Sequence, residues 1–384
     1  MGISFLALFL QMVLIRFLAI ELVMFTFFKN FVLMACFLGL GVGLGLARSE
    51  RNLAIWFAPA CTLLLLLALF GDDLGLNEYF LPTGNNAFQF IIPPATDWWT
   101  LGIFYCLFVV LLLIIVAVFV PLGQRLGRLF AELPPSTSYT WDLTGSILGV
   151  LAYTALSFWG VSPKIAAVAS VAAALCMFLG DRRGLALTAC CVIGLAVVFA
   201  TCNTKPAPSG MDDPRLTPVS SKFLWSPYYR IHWESLPVSG SADKPVFAGY
   251  RGFLNGFYYF DLLDLRLASD PQAMVSRFGT KVPLSTIALH YSVPYYLRPG
   301  TKSVLILGGG PGNDAAAALL NGADDITAVE IDPQVAWLGH HIHPMRPYED
   351  PRVKVDINDA RAHLARETRR FDLVSFGHLD SIVL

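Results

Sequence analysis

Residues 303–312, Ser-Val-Leu-Ile-Leu-Gly-Gly-Gly-Pro-Gly, decide the fold of the second half of the chain. The apolar run Ser303–Leu307 is typical of a parallel strand that is buried on both faces. The glycines that follow allow the backbone to approach a ligand closely, and a helix that begins behind them presents free N–H groups. This stretch therefore predicts a strand, a ligand-binding loop and a helix N-terminus in series.

Beyond this loop, helical and strand-like segments alternate. The pattern predicts helices over 314–321, from 333 to about 340 and from 360 onward, and strands over 326–329, 353–357 and 371–376. Such alternation is typical of a parallel sheet with right-handed crossovers. Because the chain stops at Leu384, soon after the fourth strand, we expect the sheet to be incomplete in this sequence.

Acidic residues follow two of these strands. With the G-x-G-x-G loop they resemble a site of the S-adenosylmethionine type, in which Glu330 would hold the ribose hydroxyls and Asp359 would lie near the adenine amino group. Glu330 follows Gly308 by 22 residues, close to the spacing of about 20 expected for such an acid. The alternative is that Asp314, Asp332 and Asp359 only cap helices or turns. The predicted ligand-binding residues are Gly308, Gly310, Gly312, Asp314, Glu330, Asp359 and Ala360.

These motifs resemble the spermidine/spermine synthase superfamily, and more narrowly its membrane-attached bacterial members. The resemblance covers about 222–384. It rests on Ser226–Tyr229, Asn255-Gly256, Leu305–Gly310, Val329–Pro333, Asp350–Val353 and Phe371-Asp372, with Phe37–Gly41 and Trp141–Ser146 for the membrane-attached form. The resemblance implies a class I methyltransferase-like sheet. It also implies aminopropyl transfer from decarboxylated S-adenosylmethionine to a polyamine amine, without a metal.

Two departures from the family pattern fall near the reacting groups. Pro311 replaces the acid of the usual Gly-Gly-Gly-Asp-Gly-Gly loop. After the fourth strand, where the family has Asp-Ser-Ser-Asp-Pro, this chain has Gly377 at the first acid and Asp380 at the second. The first acid helps to deprotonate an amine that is cationic at neutral pH. The candidate catalytic residues are therefore Asp380 and His378, and the alternative for His378 is a solvated loop residue.

These residues are compatible with four functions. The first is a membrane-attached aminopropyltransferase acting on a small-molecule amine, and the second is an S-adenosylmethionine-dependent methyltransferase on the same fold. The third is a non-catalytic nucleotide-binding membrane sensor, which Gly377 favours. The fourth is a transporter with a regulatory domain, for which no charged pair is placed convincingly in the middle of the membrane.

A histidine cluster, His340, His341 and His343, could be taken for a metal site. No Cys or acidic motif surrounds it at the spacing of a zinc site. We therefore predict a surface helix end there and no metal.

The composition of the chain changes near residue 204. The chain of 384 residues is 55% hydrophobic and 14% charged, whereas an ordinary soluble domain has about 25% charged residues. Residues 1–204 hold nine of the 27 Lys and Arg and nine of the 28 Asp and Glu, together with all seven cysteines, which show no disulfide framework. A net charge of −1 gives no electrostatic case for nucleic acid as a partner. The predicted domains are a transmembrane helical region (1–204), a linker (205–221), a small β region with a helix (222–298) and a partial Rossmann-type domain (299–384).

The first half contains seven apolar stretches long enough to be membrane spans. They are roughly 3–20, 30–47, 52–70, 98–120, 143–160, 163–180 and 185–202. Within them, the G-x-x-x-G pairs Gly39/Gly43 and Gly41/Gly45 predict close helix packing. Arg16 is either part of a polar site inside the bundle or an interfacial side chain that reaches toward water.

The basic residues of the short loops predict the orientation in the membrane. Six arginines occupy alternate loops, against Lys29 and Lys164 in the others, which places the arginine loops in the cytoplasm. With seven spans the second half would then lie outside, whereas its expected substrate is made in the cytoplasm. We predict a multi-pass protein of the inner membrane with a cytoplasmic second half, which conflicts with the span count. The lipid bilayer and a second copy of the chain are the other expected partners.

Between the two halves, β-rich segments precede the glycine loop. Residues 228–233, 246–250 and 257–260 have strand character, and Asn255-Gly256 predicts a hairpin turn. We predict a small antiparallel unit over 222–265, followed by a helix over 271–298.

Overall fold

The computed structural model describes residues 1–76, 98–178, 181–201, 223–239, 246–270, 273–277 and 280–377. The chain forms two compact units. Of the described residues, those up to 201 belong to the first unit and those from 223 onward belong to the second. The linker predicted over 205–221 lies outside the described residues.

The first unit is helical, and each of the seven apolar stretches falls largely within a helix. Within the described residues, three helices are long and apolar enough to cross a membrane by length and composition, namely Gly2–Glu21, Leu101–Glu132 and Arg182–Thr201. The helices of this unit are α1 Gly2–Glu21, α2 Val23–Phe27, α3 Lys29–Gly45, α4 Phe57–Leu69, α5 Trp98–Glu132, α6 Pro135–Phe158, α7 Pro163–Ala173 and α8 Arg182–Thr201, with 3-10 turns Ala54–Trp56 and Ala174–Phe178.

Helices α3 and α5 pack closely through small residues. A methyl group built on Gly43 of α3 would overlap the Val120 carbonyl oxygen of α5, and one built on Gly123 of α5 would overlap the Leu40 carbonyl oxygen. The predicted close approach is therefore present on the Gly39/Gly43 face of α3, whereas Gly41 and Gly45 have no neighbouring atom within 4 Å in the described part of the chain.

The side chain of Arg16 in α1 turns toward α6. Its guanidinium donates a hydrogen bond to the Oγ of Ser157, and the contact is partly buried. This contact favours the interpretation of Arg16 as a polar residue between helices over that of an interfacial side chain.

The second unit begins with a six-stranded antiparallel sheet. Its strands are β1 Leu224–Trp225, β2 Arg230–Ser239, β3 Val246–Leu254, β4 Phe257–Leu263, β5 Met274–Arg277 and β6 Thr280–Pro283. The order is β4-β3-β2-β5-β6, with β1 paired to β2. Asn255 and Gly256 join β3 to β4 with φ angles of 51° and 91°, as a hairpin turn of this sequence requires.

The helix predicted over 271–298 is wrong in its first part. Strands β5 and β6 pair there, with Val275 opposite Val282, and the helix α9 spans only Leu284–Leu297. Pro283 explains the boundary, because it ends β6 in an extended conformation directly before the helix begins. At four residues, β6 is too short to show an alternating strand pattern.

A four-stranded parallel sheet completes the second unit, in the order β10-β7-β8-β9. Its elements are β7 Ser303–Leu307, α10 Asn313–Leu320, β8 Asp325–Glu330, α11 Pro333–His341, β9 Val353–Ile357, α12 Ala360–Leu364 and β10 Leu373–Phe376. The predicted Rossmann-like arrangement is thus present. The chain moves outward from β7 to β9 and then returns to the other side of β7, so that a topological switch point lies between β7 and β10. In open α/β sheets, ligands bind outside the carboxyl ends of the strands at such a point.

Candidate functional site

The glycine loop joins β7 to α10 at the switch point. The N–H groups of Gly308 and Gly309 both donate to the carbonyl of Val329 in β8, at 3.0 and 2.9 Å. Gly308, Gly310 and Gly312 have positive φ angles, and Gly312 is the N-cap of α10. A side chain is strained in that conformation, so the loop needs glycine at these three predicted positions.

Glu330, the last residue of β8, is tied to this loop. Its Oε2 accepts a hydrogen bond from the N–H of Gly310 at 2.7 Å, and its Oε1 accepts one from the N–H of Asp332 at 2.9 Å. The side chain is buried, and burial raises the pKa of its carboxyl above the usual range. The space beside Gly310 is open in the described structure. A carboxylate is therefore held at the loop, where a ligand could approach the backbone.

Tyr348, which none of the sequence motifs indicated, also supports this loop. Its hydroxyl donates to the carbonyl oxygens of Gly309 and Gly310, each at 2.9 Å. The ring packs against Gly339 of α11, where any larger residue would overlap it. In the sequence, Tyr348 is marked only by its position three residues before Pro351. That position does not predict a contact with the loop.

Asn313, the first residue of α10, connects the loop to the antiparallel sheet. Its Nδ2 donates to the carbonyl of Asp261 at 2.6 Å and to the hydroxyl of Tyr291 at 3.1 Å. Its Oδ1 accepts from the N–H of Leu263 at 3.1 Å and lies 2.9 Å from Nε2 of His343. Asn313, which stands where a dinucleotide loop of the form G-x-G-x-x-G would have its third glycine, is thus a junction between the two sheets.

The prediction that the histidine cluster lies at the surface is wrong for His343. Its side chain is 1% exposed, and burial lowers the pKa of its imidazole to about 3. Its Nδ1 accepts the N–H of Met345 at 3.1 Å, so the neutral ring donates from Nε2 to Asn313. His340 and His341 lie in the last turn of α11, and within the described residues no group of three or more His, Cys, Asp or Glu could hold a metal ion.

The two other predicted acids differ in their surroundings. Asp359 caps α12, since its Oδ1 accepts the N–H groups of Arg361 and Ala362 at 3.0 and 2.9 Å, and Ala360 begins that helix. Asp314 instead lies in the first turn of α10, where it accepts a hydrogen bond from the side chain of Ser375. Burial raises the pKa of Asp314 to about 6.

Tyr228 brings the antiparallel sheet to the acids of the parallel one. Burial raises the pKa of its hydroxyl, and the charges of Asp332, Asp359 and Glu330 raise it further. The Ser226-Pro227-Tyr228-Tyr229 motif presents this residue in a turn in which the Oγ of Ser226 accepts the N–H of Tyr228 at 3.0 Å. Tyr228 therefore lies near enough to these acids for their charges to act on its hydroxyl.

At the end of β10, Gly377 lies directly against the loop. Its N–H donates to the carbonyl of Leu307 at 2.8 Å, and a methyl group built on it would overlap the carbonyl oxygen of Gly308. Both candidate catalytic residues, His378 and Asp380, lie outside the described residues.

Comparison with known proteins points to one family. The spermine/spermidine synthase domain family matches residues 288–383. A polyamine aminopropyltransferase of Thermoplasma volcanium is 32% identical over 91 residues, which are 23% of this chain and 33% of that protein. One from Hamiltonella defensa is 33% identical over 94 residues, which are 23% of this chain and 32% of that protein. The similar segment thus spans about a third of the length of each relative.

The matched segment contains the parallel sheet and its glycine loop. It begins within α9, includes the glycine loop, Glu330 and Tyr348, and runs past β10. The resemblance that the sequence motifs predicted is therefore confirmed for residues 288–383, which match the spermine/spermidine synthase domain family.

Proposed function

We propose that this protein is a membrane-attached aminopropyltransferase, which moves the aminopropyl group of decarboxylated S-adenosylmethionine to a small-molecule amine. The observation that carries the proposal is the pairing of the Glu330 carboxylate with the N–H of Gly310, inside the segment that matches the family. The two relatives of this segment are both named polyamine aminopropyltransferases. A class I methyltransferase-like architecture is part of the same proposal.

The residues at the loop fit an adenosyl substrate. Glu330 would accept hydrogen bonds from the ribose hydroxyls through the lone pairs that its two backbone contacts leave open. Asp359 would lie toward the adenine, and the N-terminus of α10 would face the rest of the substrate. Tyr348 and Asn313 would act on this site indirectly, because they fix the loop and do not extend beyond it.

The reaction needs an amine with a free lone pair. An ammonium group of the acceptor first loses a proton, and its nitrogen then attacks the aminopropyl carbon that is bonded to the sulfonium sulfur. The carbon–sulfur bond breaks, its electron pair stays on sulfur, and a neutral thioether leaves. The protein contributes orientation of the two substrates and a group that accepts the proton.

Membrane attachment is proposed from the three long apolar helices of the first unit. We place the protein in the cell's inner membrane with the second unit on the cytoplasmic side, where its substrate is made. Homo-oligomer formation is part of the same proposal.

A non-catalytic nucleotide-binding sensor is the second candidate, and Gly377 is the observation that favours it. This residue stands in the register of a catalytic acid of the family, and it cannot carry a side chain without moving the backbone of Gly308. A methyltransferase would use the same loop and the same Glu330.

Binding and turnover by the full-length protein in detergent separate these functions. We expect calorimetry to show preference for decarboxylated S-adenosylmethionine over S-adenosylmethionine, and mass spectrometry to show an aminopropylated product with putrescine. Binding without product, unaffected by Asp380→Asn, would contradict the enzyme and support the sensor. A methylated product formed from S-adenosylmethionine would support the methyltransferase. Protease access in oriented vesicles tests the location of the second unit.

A further inference from the structure

The last part of α5 is too long to lie within the hydrocarbon core of a bilayer. Its apolar part, Leu101–Glu132, has 32 residues. A rise of about 1.5 Å per residue makes it roughly 48 Å long, whereas the core is about 30 Å thick. Its charged residues, Arg125, Arg128 and Glu132, all lie within its last eight positions. When α5 spans a membrane, this end therefore lies at the level of the lipid headgroups.

At this end, Gln124 of α5 holds the loop of residues 46–53, which leads from α3 toward α4. The residue is 1% exposed, and its Oε1 accepts the N–H of Leu53 at 2.9 Å. Its Nε2 donates to the carbonyl oxygens of Leu46 and Arg51, at 3.1 and 2.9 Å. Both ends of the α3–α4 loop are thus bonded to one buried amide.

Arg128, one turn further along α5, holds the middle of the same loop. Its Nε donates to the carbonyl oxygen of Ala47 at 3.2 Å, and its Nη2 donates to those of Ser49 and Arg51 at 2.7 and 3.0 Å. A planar guanidinium serves several acceptors in a fixed geometry, which an ammonium group does not reproduce. The loop is thus fixed through its backbone, and the side chains of its own arginines take no part in these bonds.

Three arginine side chains around this loop are exposed, namely Arg48, Arg51 and Arg125. None of them forms a hydrogen bond or an ion pair with a residue in the described ranges. Glu50 is the acid of the loop, so the three exposed arginines and Arg128 leave a net charge of +3. A cluster of this kind on a backbone that is already fixed suits an anion, because little freedom is lost when the anion binds.

Apolar side chains flank the same loop. Leu46 at its start is 40% exposed, and Trp56, in the 3-10 turn that follows the loop, is 64% exposed. An exposed tryptophan at the level of the headgroups is typical of a membrane interface. A ligand that bears both a phosphate and an acyl chain would use both features, whereas a free phosphate ion would use the arginines alone.

We propose that the α3–α4 loop and the end of α5 bind an anionic phospholipid, with its phosphate between Arg48, Arg51 and Arg125 and its acyl chains along Leu46 and Trp56. The inference rests on the proposed membrane attachment and is independent of the chemistry of the second unit. Guanidinium groups donate charge-assisted hydrogen bonds to phosphate oxygens. The α5 side chains that hold the loop are positioning residues, because they fix the backbone that carries Arg48 and Arg51.

The test titrates the purified full-length protein in neutral detergent with phosphatidylglycerol or phosphatidylcholine, and native mass spectrometry counts the bound lipid. We expect phosphatidylglycerol to bind more tightly. Arg48→Gln together with Arg51→Gln should weaken its binding about 30-fold and leave that of phosphatidylcholine unchanged. Arg128→Lys keeps the charge but loses the fork that holds the loop, and it should weaken phosphatidylglycerol binding about fivefold. Attraction by charge alone would be unaffected by Arg128→Lys.

The matched control is Arg182→Gln together with Arg183→Gln, which removes the same charge from an exposed pair at the start of α8 and should leave binding unchanged. Equal weakening by the two pairs of substitutions would overturn the site in favour of general charge. Equal affinity of the unchanged protein for both lipids, or displacement of phosphatidylglycerol by an equal concentration of inorganic phosphate, would overturn the inference alone. If Arg128→Lys fails to fold, the two arginine pairs decide. Recovery of the protein from cells in soluble form without detergent would overturn the proposed membrane attachment and the inference together.

Discussion

The carboxyl ends of β8 and β10 flank the same glycine loop, yet they differ in what they present. Strand β8 ends in Glu330, a buried carboxylate that is hydrogen-bonded to the loop. Strand β10 ends next to Gly377, which has no side chain and lies against the loop backbone. One strand end thus offers a carboxylate to the loop, and the other offers only backbone. The difference teaches that two strands flanking one loop can present different chemistry to it.

The largest expected effect concerns the β8 side. Glu330→Ala removes the acceptor of the Gly310 and Asp332 N–H groups as well as the predicted ribose contact. We expect the affinity for decarboxylated S-adenosylmethionine to fall at least 100-fold, or about 3 kcal/mol, in calorimetry. The control is Glu349→Ala, an exposed acid whose contact is Arg346 at 3.5 Å. A change smaller than threefold in Glu330→Ala would remove this residue from the binding site.

The next effect concerns the β10 side. Gly377→Asp introduces an acid at the position where the family pattern has one. The Cβ of the new residue must displace the backbone of Gly308. We expect no gain in turnover and a loss of about 2 kcal/mol in hydrogen-exchange protection of residues 303–312, the usual cost of overpacking. Gly194→Ala, a helix glycine with no atom within 4 Å, is the control and should leave this protection unchanged. Increased turnover with unchanged protection would show that the two strand ends do not differ in the way described.

A smaller effect is expected from a change in a residue that supports the glycine loop. It should act equally on the ends of β8 and β10, because the loop lies between them. Tyr348→Phe removes the hydroxyl that donates to Gly309 and Gly310. The loss of hydrogen bonds to buried carbonyls costs about 1 to 1.5 kcal/mol, and we expect substrate affinity to fall about fivefold. Tyr296→Phe removes an exposed hydroxyl and serves as the control. Unchanged affinity and unchanged hydrogen exchange in the loop would contradict a supporting role.

The smallest effect depends on pH and concerns the junction behind the loop. Burial lowers the pKa of His343 to about 3, so between that value and the ordinary 6.5 the unfolded chain binds more protons than the folded one. The contribution of His343 is therefore full above pH 6.5 and is lost as the pH falls. From pH 6.5 to 5.5 it should lower the free energy of unfolding of the second unit by about 1 kcal/mol.

This loss should be absent in His343→Gln, and hydrogen exchange of β7 at the two pH values measures it. Asp314, whose raised pKa acts in the opposite direction, is present in both proteins and cancels in the difference. His290→Gln removes an exposed histidine and should behave as the unchanged protein does. Equal pH dependence in His343→Gln and the unchanged protein would show that this ring is not held neutral.

Sequence alone predicted the parallel sheet because its signals are local. The apolar run of β7, the glycines after it and the acid at the end of β8 each follow from the needs of a buried strand or a close turn. The contacts that organise the site are not local. Asn313 meets residues 22 to 52 positions away, and nothing near Tyr348 marks it as a support of the loop. The boundary between β6 and α9 was missed because β5 and β6 are each only four residues long, too short to show an alternating strand pattern.

The junction at Asn313 has a consequence for how such proteins can be recombined. Its side-chain amide forms hydrogen bonds with the backbone of the antiparallel sheet at residues 261 and 263, and with the side chain of His343, which follows α11. Because the groups at 261 and 263 are backbone groups, any sequence supplies them, but only a sheet held at this distance lets Asn313 reach them. A chimaera that joins the antiparallel sheet of one relative to the parallel sheet of another must therefore preserve the spacing of the two sheets at this residue.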